Sequence, residues 1–328
     1  MTFRSRIESF SGYLSGSRHS GDAYRLVIEI TNACNLKCTM CPRTAMNRKI
    51  SHMESKLFEK IISENHVHIE FASLNGYGEP LLHPSLFDFI KLCRQYHVRT
   101  GISSNCTQLN ETMARNLLDN PPDVLTLAID GASPEAYEAV RLGASFEEVV
   151  GNVKRFLELR RNLNKHNTFV ILQCIHMPET RNQIRGFYSL FEGLAFDAIR
   201  IRQLTYSGQN CKDLSYRNNP GSCFWLWNEP MILSDGTLVP CCQDVNGDLA
   251  LGNLQSAPLK ELWAEGKIGD LRKKHSNGDR NSLPICLSCN MYQPRIALSF
   301  GASLFNAFGL NTLVPKVETL IARLRYRR

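Results

Sequence analysis

One stretch decides the fold: RLVIEITNACNLKCTMCP, residues 25–42. Its first six residues are mostly apolar or β-branched, which is typical of a buried strand. Three cysteines follow, Cys34, Cys38 and Cys41, in a C-x3-C-x2-C pattern. The stretch therefore predicts a strand that carries a cluster of thiols at its carboxyl end, where the functional groups of parallel α/β folds collect.

The alternation of strand and helix continues to about residue 204. Strand patterns occupy 25–30, 68–74, 98–104, 123–129, 168–175 and 197–204. Helical patterns occupy 54–64, 84–96, 110–119, 134–140, 145–165 and 180–193. Six such units in series imply a parallel sheet with right-handed crossovers. The predicted fold is α/β, a partial (β/α)6 barrel of the TIM type with its helices outside.

The composition is that of an ordinary globular protein. The chain has 328 residues, of which 43% are hydrophobic and 21% charged. This excludes a disordered, collagen-like or coiled-coil chain. Lysine and arginine number 38 against 31 aspartate and glutamate, an excess of 7 that favours an anionic partner only weakly.

Twelve cysteines are the unusual feature of the composition. The N-terminus lacks the apolar core of a signal peptide, and no apolar run approaches 18 residues. We therefore expect a cytoplasmic location. In a reducing compartment, clustered thiols are more often metal ligands or catalytic groups than disulfides.

Changes in pattern divide the chain into four parts. We expect an N-terminal segment at 1–24, the barrel at 25–205, a small cysteine-rich module at 206–295 and an amphipathic basic tail at 296–328. The tail is interpreted as a cap on the barrel, with weak contact to an anionic membrane surface as the alternative.

Three thiolates this close in sequence suit three corners of a cubane iron–sulfur cluster. The fourth iron is then left without a protein ligand, and an open iron is reactive. The alternative is a zinc site, but structural zinc is normally closed by four ligands.

The C-x3-C-x2-C run resembles the motif of radical S-adenosylmethionine (SAM) enzymes. The resemblance implies a [4Fe–4S] cluster on Cys34, Cys38 and Cys41, with SAM on the open iron and Met40 against the adenine. It further implies that an electron donor such as flavodoxin or ferredoxin reduces the cluster. SAM is then cleaved to a 5′-deoxyadenosyl radical, which takes hydrogen from the substrate.

The segment after the second strand, Asn75–Pro80 (NGYGEP), is similar to the G-G-E-P motif of this family. That motif contacts the amino group of SAM. Tyr77 stands where the first of the paired glycines usually lies. The resemblance therefore assigns SAM contact to Gly78 and Glu79.

Two further strand ends resemble the family. After the third strand, Ser104 and Asn105 match the T-N-G turn near the SAM ribose and carboxylate, with Cys106 in place of glycine. After the fourth strand, Asp130 matches the S-x-D-G segment, with Ala128 in place of serine. Ser104, Asn105 and Asp130 are accordingly expected to bind the cofactor.

A second cysteine set lies beyond the barrel. Cys286 and Cys289 form a C-x2-C pair, and Cys223 with Cys241 or Cys242 completes four thiolates. Four thiolates saturate a second cluster or a zinc ion, and spacing alone leaves the metal open.

The segments 234–244, 251–254 and 259–263 resemble the SPASM and shorter "twitch" extensions of radical SAM enzymes. Those extensions hold two and one auxiliary [4Fe–4S] clusters, respectively. No cysteine follows Cys289, so we expect one auxiliary cluster, ligated by Cys223, Cys241, Cys286 and Cys289. Asp235-Gly236 is predicted to turn a hairpin before Cys241.

Three residues are candidates for catalysis near the barrel mouth. Arg202 and His176 are candidate general bases. Arg200 and Arg202 share one strand face, and an inward face would require an anionic partner. Cys242 is expected on the opposite face from Cys241 if the strand continues, as a spare ligand, a hydrogen donor or a buried apolar residue.

These features predict an oxidoreductase that performs a two-electron dehydrogenation on a small polar substrate of carbohydrate or natural-product type. The alternatives are a radical epimerase, and a peptide-modifying enzyme, against which the N-terminus of about 24 residues argues. A zinc-stabilised binding module is the alternative from another class. The sequence lacks a basic patch interleaved with aromatic residues, the pattern that would indicate nucleic acid binding.

Overall fold

The computed structural model describes residues 2–205, 222–287 and 289–290. Six parallel strands form the barrel sheet. They are β1 (Arg25–Ile28), β2 (Phe71–Ser73), β3 (Arg99–Ser104), β4 (Val124–Ala128), β5 (Phe169–His176) and β6 (Ala198–Gln203). Their spatial order follows the chain order, so the predicted α/β class and partial barrel are confirmed.

Helices connect the barrel strands as the periodicity predicts: α2 (Ser55–Asn65), α3 (Leu86–Gln95), α4 (Glu111–Asp119), α5 (Pro134–Val140), α6 (Phe146–Asn162) and α7 (Ile184–Leu190). The other helices of the described residues lie outside the barrel: α1 (Thr2–Ser15) precedes it, and α8 (Trp225–Asn228), α9 (Leu259–Ala264), α10 (Lys267–Ser276) and α11 (Pro284–Leu287) follow it; we number all of them in chain order. The side chains of Asn110, Ser133 and Ser145 cap α4, α5 and α6 by accepting backbone N–H groups of the first turn.

The cysteine-rich region extends the same sheet. β7 (Met231–Ile232) pairs parallel with β1, and β8 (Thr237–Val239) and β9 (Gly252–Asn253) follow antiparallel. The predicted hairpin turn at Asp235-Gly236 joins β7 to β8. Gly236 has φ +87° there, in the left-handed region that favours glycine. The second module therefore adds to the barrel sheet at its β1 edge.

The N-terminal segment packs on the cysteine-rich region through α1, a helix that the sequence analysis did not anticipate. The ring of Tyr13 meets Phe224 and Trp227 edge-on, with centroids 5.3 Å and 5.6 Å apart. Such aromatic pairs add about 1 kcal/mol each beyond the burial of their area.

Some predictions lie outside the described residues. The structure does not describe residues 206–221 and 291–328. The predicted tail at 296–328 and its membrane contact therefore lie outside the described residues, as does the start of the predicted cysteine-rich module at 206. The division at those boundaries stays a prediction. Among the described residues, no helix combines the length and apolarity needed to cross a membrane.

Candidate active site

The three clustered cysteines lie on the loop that follows β1. Backbone hydrogen bonds hold this loop against the end of α5, from Lys37 N to Leu142 O at 3.0 Å and from Thr39 N to Val140 O at 2.9 Å. Cys41 N donates to Cys38 O at 3.1 Å and closes the turn between the last two cysteines. Main-chain contacts therefore fix the position of this loop.

The sulfur atoms of this loop face N–H donors. Leu36 N lies 3.5 Å from Cys34 Sγ, Asn105 Nδ2 lies 3.8 Å from the same sulfur, and Arg141 Nη1 lies 3.9 Å from Cys38 Sγ. Hydrogen bonds of this kind stabilise cluster thiolates. Burial raises the pKa of Cys38 and Cys41, so a bound cation is needed to keep these thiols deprotonated at neutral pH. The residues present fit a cluster held by Cys34, Cys38 and Cys41.

The Gly78-Glu79 segment is pressed against this loop. A Cβ on Gly78 would lie 2.4 Å from Thr31 O and 2.5 Å from Ala33 O, so only glycine fits. Glu79 N donates to Ala33 O at 2.8 Å. The β2 loop is thereby locked against the cysteine loop, as SAM contact by Gly78 and Glu79 requires.

The Glu79 carboxylate joins the β2 loop to the β3 loop. It is buried and accepts Leu81 N at 3.1 Å and Asn105 N at 2.7 Å. Burial raises its pKa, and these backbone N–H groups oppose the rise. Its side chain therefore organises neighbouring loops, and direct contact between Glu79 and SAM stays a prediction.

The β3 end places Asn105 beside the first cysteine. Asn105 Nδ2 also donates to Asn35 Oδ1 at 3.1 Å, and the Ser104 hydroxyl accepts Cys106 N at 2.9 Å. Cys106 has φ +65°, the left-handed conformation that the glycine of the T-N-G turn would adopt without strain. The turn thus keeps the geometry that its resemblance implies despite the substitution.

Asp130 follows the end of β4, and its expected contact with the cofactor stays a prediction. Its side chain is fully buried and both oxygens are occupied. Oδ1 accepts Ile175 N at 2.7 Å, and Oδ2 accepts Arg141 Nε at 2.8 Å and Nη2 at 2.5 Å. Burial alone would lower the pKa of Arg141, but the Asp130 carboxylate and then the Cys38 thiol raise it, so Arg141 stays cationic. Asp130 supports Arg141, and Arg141 faces the cluster cysteines.

Met40 is half-buried on the cysteine loop. It lies between Cys38 and Cys41, at the position that the resemblance assigns to adenine contact. That contact stays a prediction.

The four later cysteines converge from separate elements. Cys223 precedes α8, Cys241 follows β8, Cys286 lies in α11 and Cys289 follows it. Burial raises the pKa of Cys223, Cys241 and Cys286, in the case of Cys286 to about 12, and the other thiols of the group add to the rise. Buried thiols so close together become thiolates when metal cations share the site. These residues fit an auxiliary cluster.

Within the described ranges, no three His, Cys, Asp or Glu side chains converge on one point as a single metal ion requires. A cubane cluster carries its irons at separate corners, and each iron that the protein ligates takes one thiolate. Ligands spaced around a cluster therefore need not meet at a point.

Cys242 does not extend a strand, because β8 ends at Val239 and a turn follows. The strand therefore does not continue through Cys241 and Cys242, and the condition for opposite strand faces is not met. Burial raises the pKa of Cys242 to about 11, Glu229 adds to the rise and Arg202 opposes it. Cys242 is thus a protonated thiol at neutral pH, within electrostatic reach of Arg202.

Arg202 is exposed near the carboxyl end of β6, and His176 ends β5 half-buried. Arg200 is half-buried on the same strand. The sequence left open whether Arg200 and Arg202 share a buried, inward face. Arg202 does not lie on such a face, because β6 is buried at its start and exposed at its end. Arg202 needs no anionic partner for its stability.

Three charged residues near the cysteines were missed from the sequence: Glu29, Arg141 and Arg280. Glu29 is an acidic residue inside an apolar strand pattern, which is a readable signal of a buried ion pair. Arg141 follows the helix start after Asp130, and Arg280 is a buried arginine that donates to Cys289 O at 3.3 Å. For Arg141 and Arg280, only the three-dimensional structure shows that they lie beside cysteines.

Comparison with known proteins identifies the class. Residues 28–187 match the radical SAM superfamily model, and residues 223–290 match SPASM, an iron–sulfur cluster-binding domain. The chain therefore belongs to the radical SAM superfamily and carries a SPASM domain. It is a radical SAM enzyme, and its cofactors are SAM, a SAM-binding [4Fe–4S] cluster and auxiliary iron–sulfur. The zinc interpretations of both cysteine sets, and the zinc-stabilised binding module, are overturned.

Individual relatives are distant. A "tungsten-containing aldehyde ferredoxin oxidoreductase cofactor-modifying protein" of Pyrococcus furiosus is 26% identical over 182 residues, 55% of this chain and about half, 51%, of that protein. An "S-adenosyl-L-methionine-dependent 2-deoxy-scyllo-inosamine dehydrogenase" of Niallia circulans is 23% identical over 279 residues, 80% of this chain and 91% of that one. The crystal structure of Streptococcus suis SuiB with its precursor peptide SuiA has a TM-score of 0.63 at 14% identity, covering 88% of this chain and 74% of SuiB. At that identity the likeness to SuiB establishes the fold alone.

Proposed function

We propose that this enzyme dehydrogenates a small polar substrate, of carbohydrate or natural-product type, by removing two electrons. The observation that carries the proposal is the match to the 2-deoxy-scyllo-inosamine dehydrogenase, which extends over 80% of this chain and 91% of that enzyme. A match of that extent indicates a protein of similar overall length and organisation. The four thiols beyond the barrel supply the second redox site that such a reaction needs.

The residues divide into two sets of ligands. Cys34, Cys38 and Cys41 hold the SAM-binding cluster, and Cys223, Cys241, Cys286 and Cys289 hold one auxiliary cluster. With its clusters and SAM bound, reductive cleavage of SAM supplies the species that takes a hydrogen atom from the substrate, and the auxiliary cluster accepts one further electron. Loss of one hydrogen atom, one electron and one proton balances an alcohol against its ketone.

The protein's own part is to orient SAM and to receive the proton. The Gly78-Glu79 segment and Asn105 surround the cysteine loop and define where SAM lies. Arg141 holds positive charge beside Cys38. His176 and Arg202 lie at the ends of neighbouring strands. The imidazole of His176 is the group that takes the proton from the substrate, whereas Arg202 stays cationic and orients polar groups of the substrate.

Epimerisation is the second candidate, and the thiol of Cys242 favours it. This thiol adjoins the proposed ligand Cys241 and lies within electrostatic reach of Arg202 at the end of β6, between the proposed auxiliary site and the ends of the barrel strands. Peptide modification is a third candidate, supported by the fold shared with SuiB, whose crystal structure contains a precursor peptide.

Anaerobic turnover in heavy water separates these candidates. The purified enzyme, with both clusters reconstituted, is given SAM, dithionite and 2-deoxy-scyllo-inosamine as the probe. Formation of a ketone in step with 5′-deoxyadenosine supports dehydrogenation. Solvent deuterium retained at an inverted carbon supports epimerisation, and a wider panel of aminocyclitols, sugars and peptides follows if the probe is not consumed.

Ligand variants test the division of labour. Cys34→Ala is expected to abolish SAM cleavage, whereas Cys286→Ala is expected to retain SAM cleavage and to lose ketone formation. Cys93→Ala is the matched control, because Cys93 is a fully buried thiol in the core at α3. Equal loss of SAM cleavage in the Cys34 and Cys286 variants would contradict the assignment.

A further inference from the structure

The loop that carries Cys241 and Cys242 has little regular structure to hold it. β8 ends at Val239, and turns follow to about residue 250. Its internal hydrogen bonds are local: Asp244 N donates to Cys241 O at 3.3 Å, and the buried Asp244 carboxylate accepts Asp248 N at 2.8 Å and Leu249 N at 2.9 Å. Contacts from other segments attach the loop to the rest of the molecule.

Three hydrogen bonds reach this loop from the radical SAM region. The hydroxyl of Tyr77 donates to Cys242 O at 2.7 Å. Arg48 Nε donates to Val245 O at 2.8 Å, and Asn47 N donates to Asn246 Oδ1 at 2.9 Å. Both donors at 47 and 48 belong to the segment that follows the cluster cysteines. The Cys241–Asn246 loop is thus attached to the SAM side of the molecule at three points.

A buried carboxylate fixes the donors. Glu29 is fully buried, and its two oxygens accept Arg48 Nη1 and Nη2 at 2.8 and 2.9 Å in a bidentate pair. Glu29 also accepts Ser234 N at 3.1 Å and Tyr77 N at 3.4 Å. Bidentate arginine–carboxylate pairs are geometrically specific, so the direction of the Arg48 side chain is set. The guanidinium carbon of Arg48 lies 5.9 Å from the Tyr77 ring centroid, within cation–π range.

The flanking glycines explain the direction of Tyr77. A Cβ on Gly76 would lie 2.4 Å from Glu29 Cγ, and one on Gly78 would lie 2.4 Å from Thr31 O. The backbone on both sides of Tyr77 is therefore pressed against the end of β1. Of residues 76–78, only Tyr77 carries a side chain, and its hydroxyl reaches Cys242 O. A glycine here, as the G-G-E-P pattern has it, would provide no such contact.

We propose that Tyr77, backed by Glu29 and Arg48, is a positioning residue that holds the Cys241–Cys242 loop in register with the SAM site. Through Cys242 O, it fixes the neighbouring ligand Cys241 and so the environment of the auxiliary cluster. The inference rests on the proposed ligation by Cys241, and it adds a direct link between the two cluster sites. The link is specific to the tyrosine of this chain's NGYGEP segment.

Tyr77→Phe removes one oxygen and keeps the ring. In the full-length protein with both clusters, we expect amide hydrogen exchange in residues 241–246 to become about fivefold faster, the factor for one lost hydrogen bond. We also expect the electron paramagnetic resonance signal and midpoint potential of the auxiliary cluster to shift, while those of the SAM-binding cluster stay unchanged. Neither readout needs a substrate.

Tyr24→Phe is the matched control. Tyr24 is also buried, and its hydroxyl donates to Asn228 Oδ1 near the opposite end of β1. Loss of the Tyr24–Asn228 hydrogen bond lowers the stability of the protein and removes no contact to the Cys241–Asn246 loop. If Tyr77→Phe alone fails to hold the auxiliary cluster, that loss supports the proposal. If both variants lose the cluster, or if exchange and spectra are unchanged in Tyr77→Phe, the proposal is overturned.

Cys241→Ala separates this inference from the ligand assignment. Loss of one cluster's iron and sulfide in this variant supports ligation by Cys241. If the variant keeps both clusters, the ligand assignment fails. The exchange measurement on Tyr77→Phe still decides whether the phenol positions the loop.

Discussion

The guanidinium of Arg141 lies 3.9 Å from Cys38 Sγ while it forms a buried ion pair with Asp130. A cation donating toward a cluster ligand stabilises the reduced cluster, which carries the additional electron. We predict that Arg141→Gln makes the midpoint potential of the SAM-binding cluster more negative. Potentiometric titration followed by electron paramagnetic resonance measures the change.

The same variant leaves Asp130 buried without its partner, at a cost of about 3–5 kcal/mol. The double variant Arg141→Gln/Asp130→Asn removes both charges. We expect its free energy of unfolding to fall by less than that of Arg141→Gln alone. An unchanged potential in the double variant would show that Arg141 does not act on the cluster.

Arg280 is the corresponding cation at the auxiliary site. Its side chain is buried, and Nη2 donates to Cys289 O at 3.3 Å. We predict that Arg280→Gln lowers the midpoint potential of the auxiliary cluster and leaves the SAM-binding cluster unchanged, because a buried positive charge next to the ligands is lost. The exposed neighbour Lys274 gives the control, Lys274→Gln, for which both potentials should stay the same. A shift of equal size at both clusters would contradict a local effect.

His275 makes stability depend on pH. Burial, and then the Arg280 charge, lower its pKa to about 4, so the folded protein holds it neutral. Below pH 6.5 the unfolded chain binds a proton that the folded chain does not, and stability falls as the pH drops from about 6.5 toward 4. Relative to pH 7.5, we expect His275 to cost about 1.4 kcal/mol at pH 5.5.

The measurement is denaturant unfolding of wild type and His275→Leu at both pH values. Between pH 7.5 and pH 5.5, the unfolding free energy of the wild type should fall by about 1.4 kcal/mol more than that of His275→Leu. A difference that is constant with pH would mean that His275 is not held neutral.

Arg272 organises the cysteine-rich region through backbone carbonyls. It is fully buried, stacks on Trp263, and donates to Leu226 O, Arg18 O, Ala264 O and Trp263 O at 2.8–3.1 Å. Arg272→Met leaves these acceptors without their donor, at about 1–3 kcal/mol for each one that stays buried. We expect a total loss of at least about 3 kcal/mol in unfolding free energy. Lys273→Met, on the exposed side of α10, should change stability by less than about 0.5 kcal/mol.

Gly78→Ala tests the close packing of the two loops around the cysteines. The new methyl would lie 2.4 Å from a carbonyl oxygen, so the β2 loop must move away from the cysteine loop. We predict at least tenfold weaker SAM binding in an equilibrium titration, because a loss of about 1.4 kcal/mol of binding free energy from the displaced loop is sufficient. In Gly151→Ala, within α6, no atom lies within 4 Å of the added carbon, and we expect stabilisation by about 0.5–1 kcal/mol with normal SAM affinity.

Much of the fold was readable in the sequence because its signals are local. Each barrel strand is a short apolar run, each connecting helix has its own periodicity, and α4, α5 and α6 also have side-chain caps. The three cysteines before Pro42 were equally readable, since one short loop supplies all of them. The helix α1 was missed because its apolar face matches α8, more than 200 residues away.

The tertiary structure alone decided the partners of the charged residues. The sequence placed Asp130 at a strand end and predicted cofactor contact, and only folding brings Arg141 onto its carboxylate and buries both. Likewise, Tyr77 was a departure from a motif until the structure brought its hydroxyl to Cys242 O, 165 residues along the chain. The sequence by itself determined the order of the six barrel strands and singled out the thiols that we propose as ligands, because both depend on pattern and spacing. Which charge faces which sulfur depends on packing between distant segments, and a linear pattern carries no record of it.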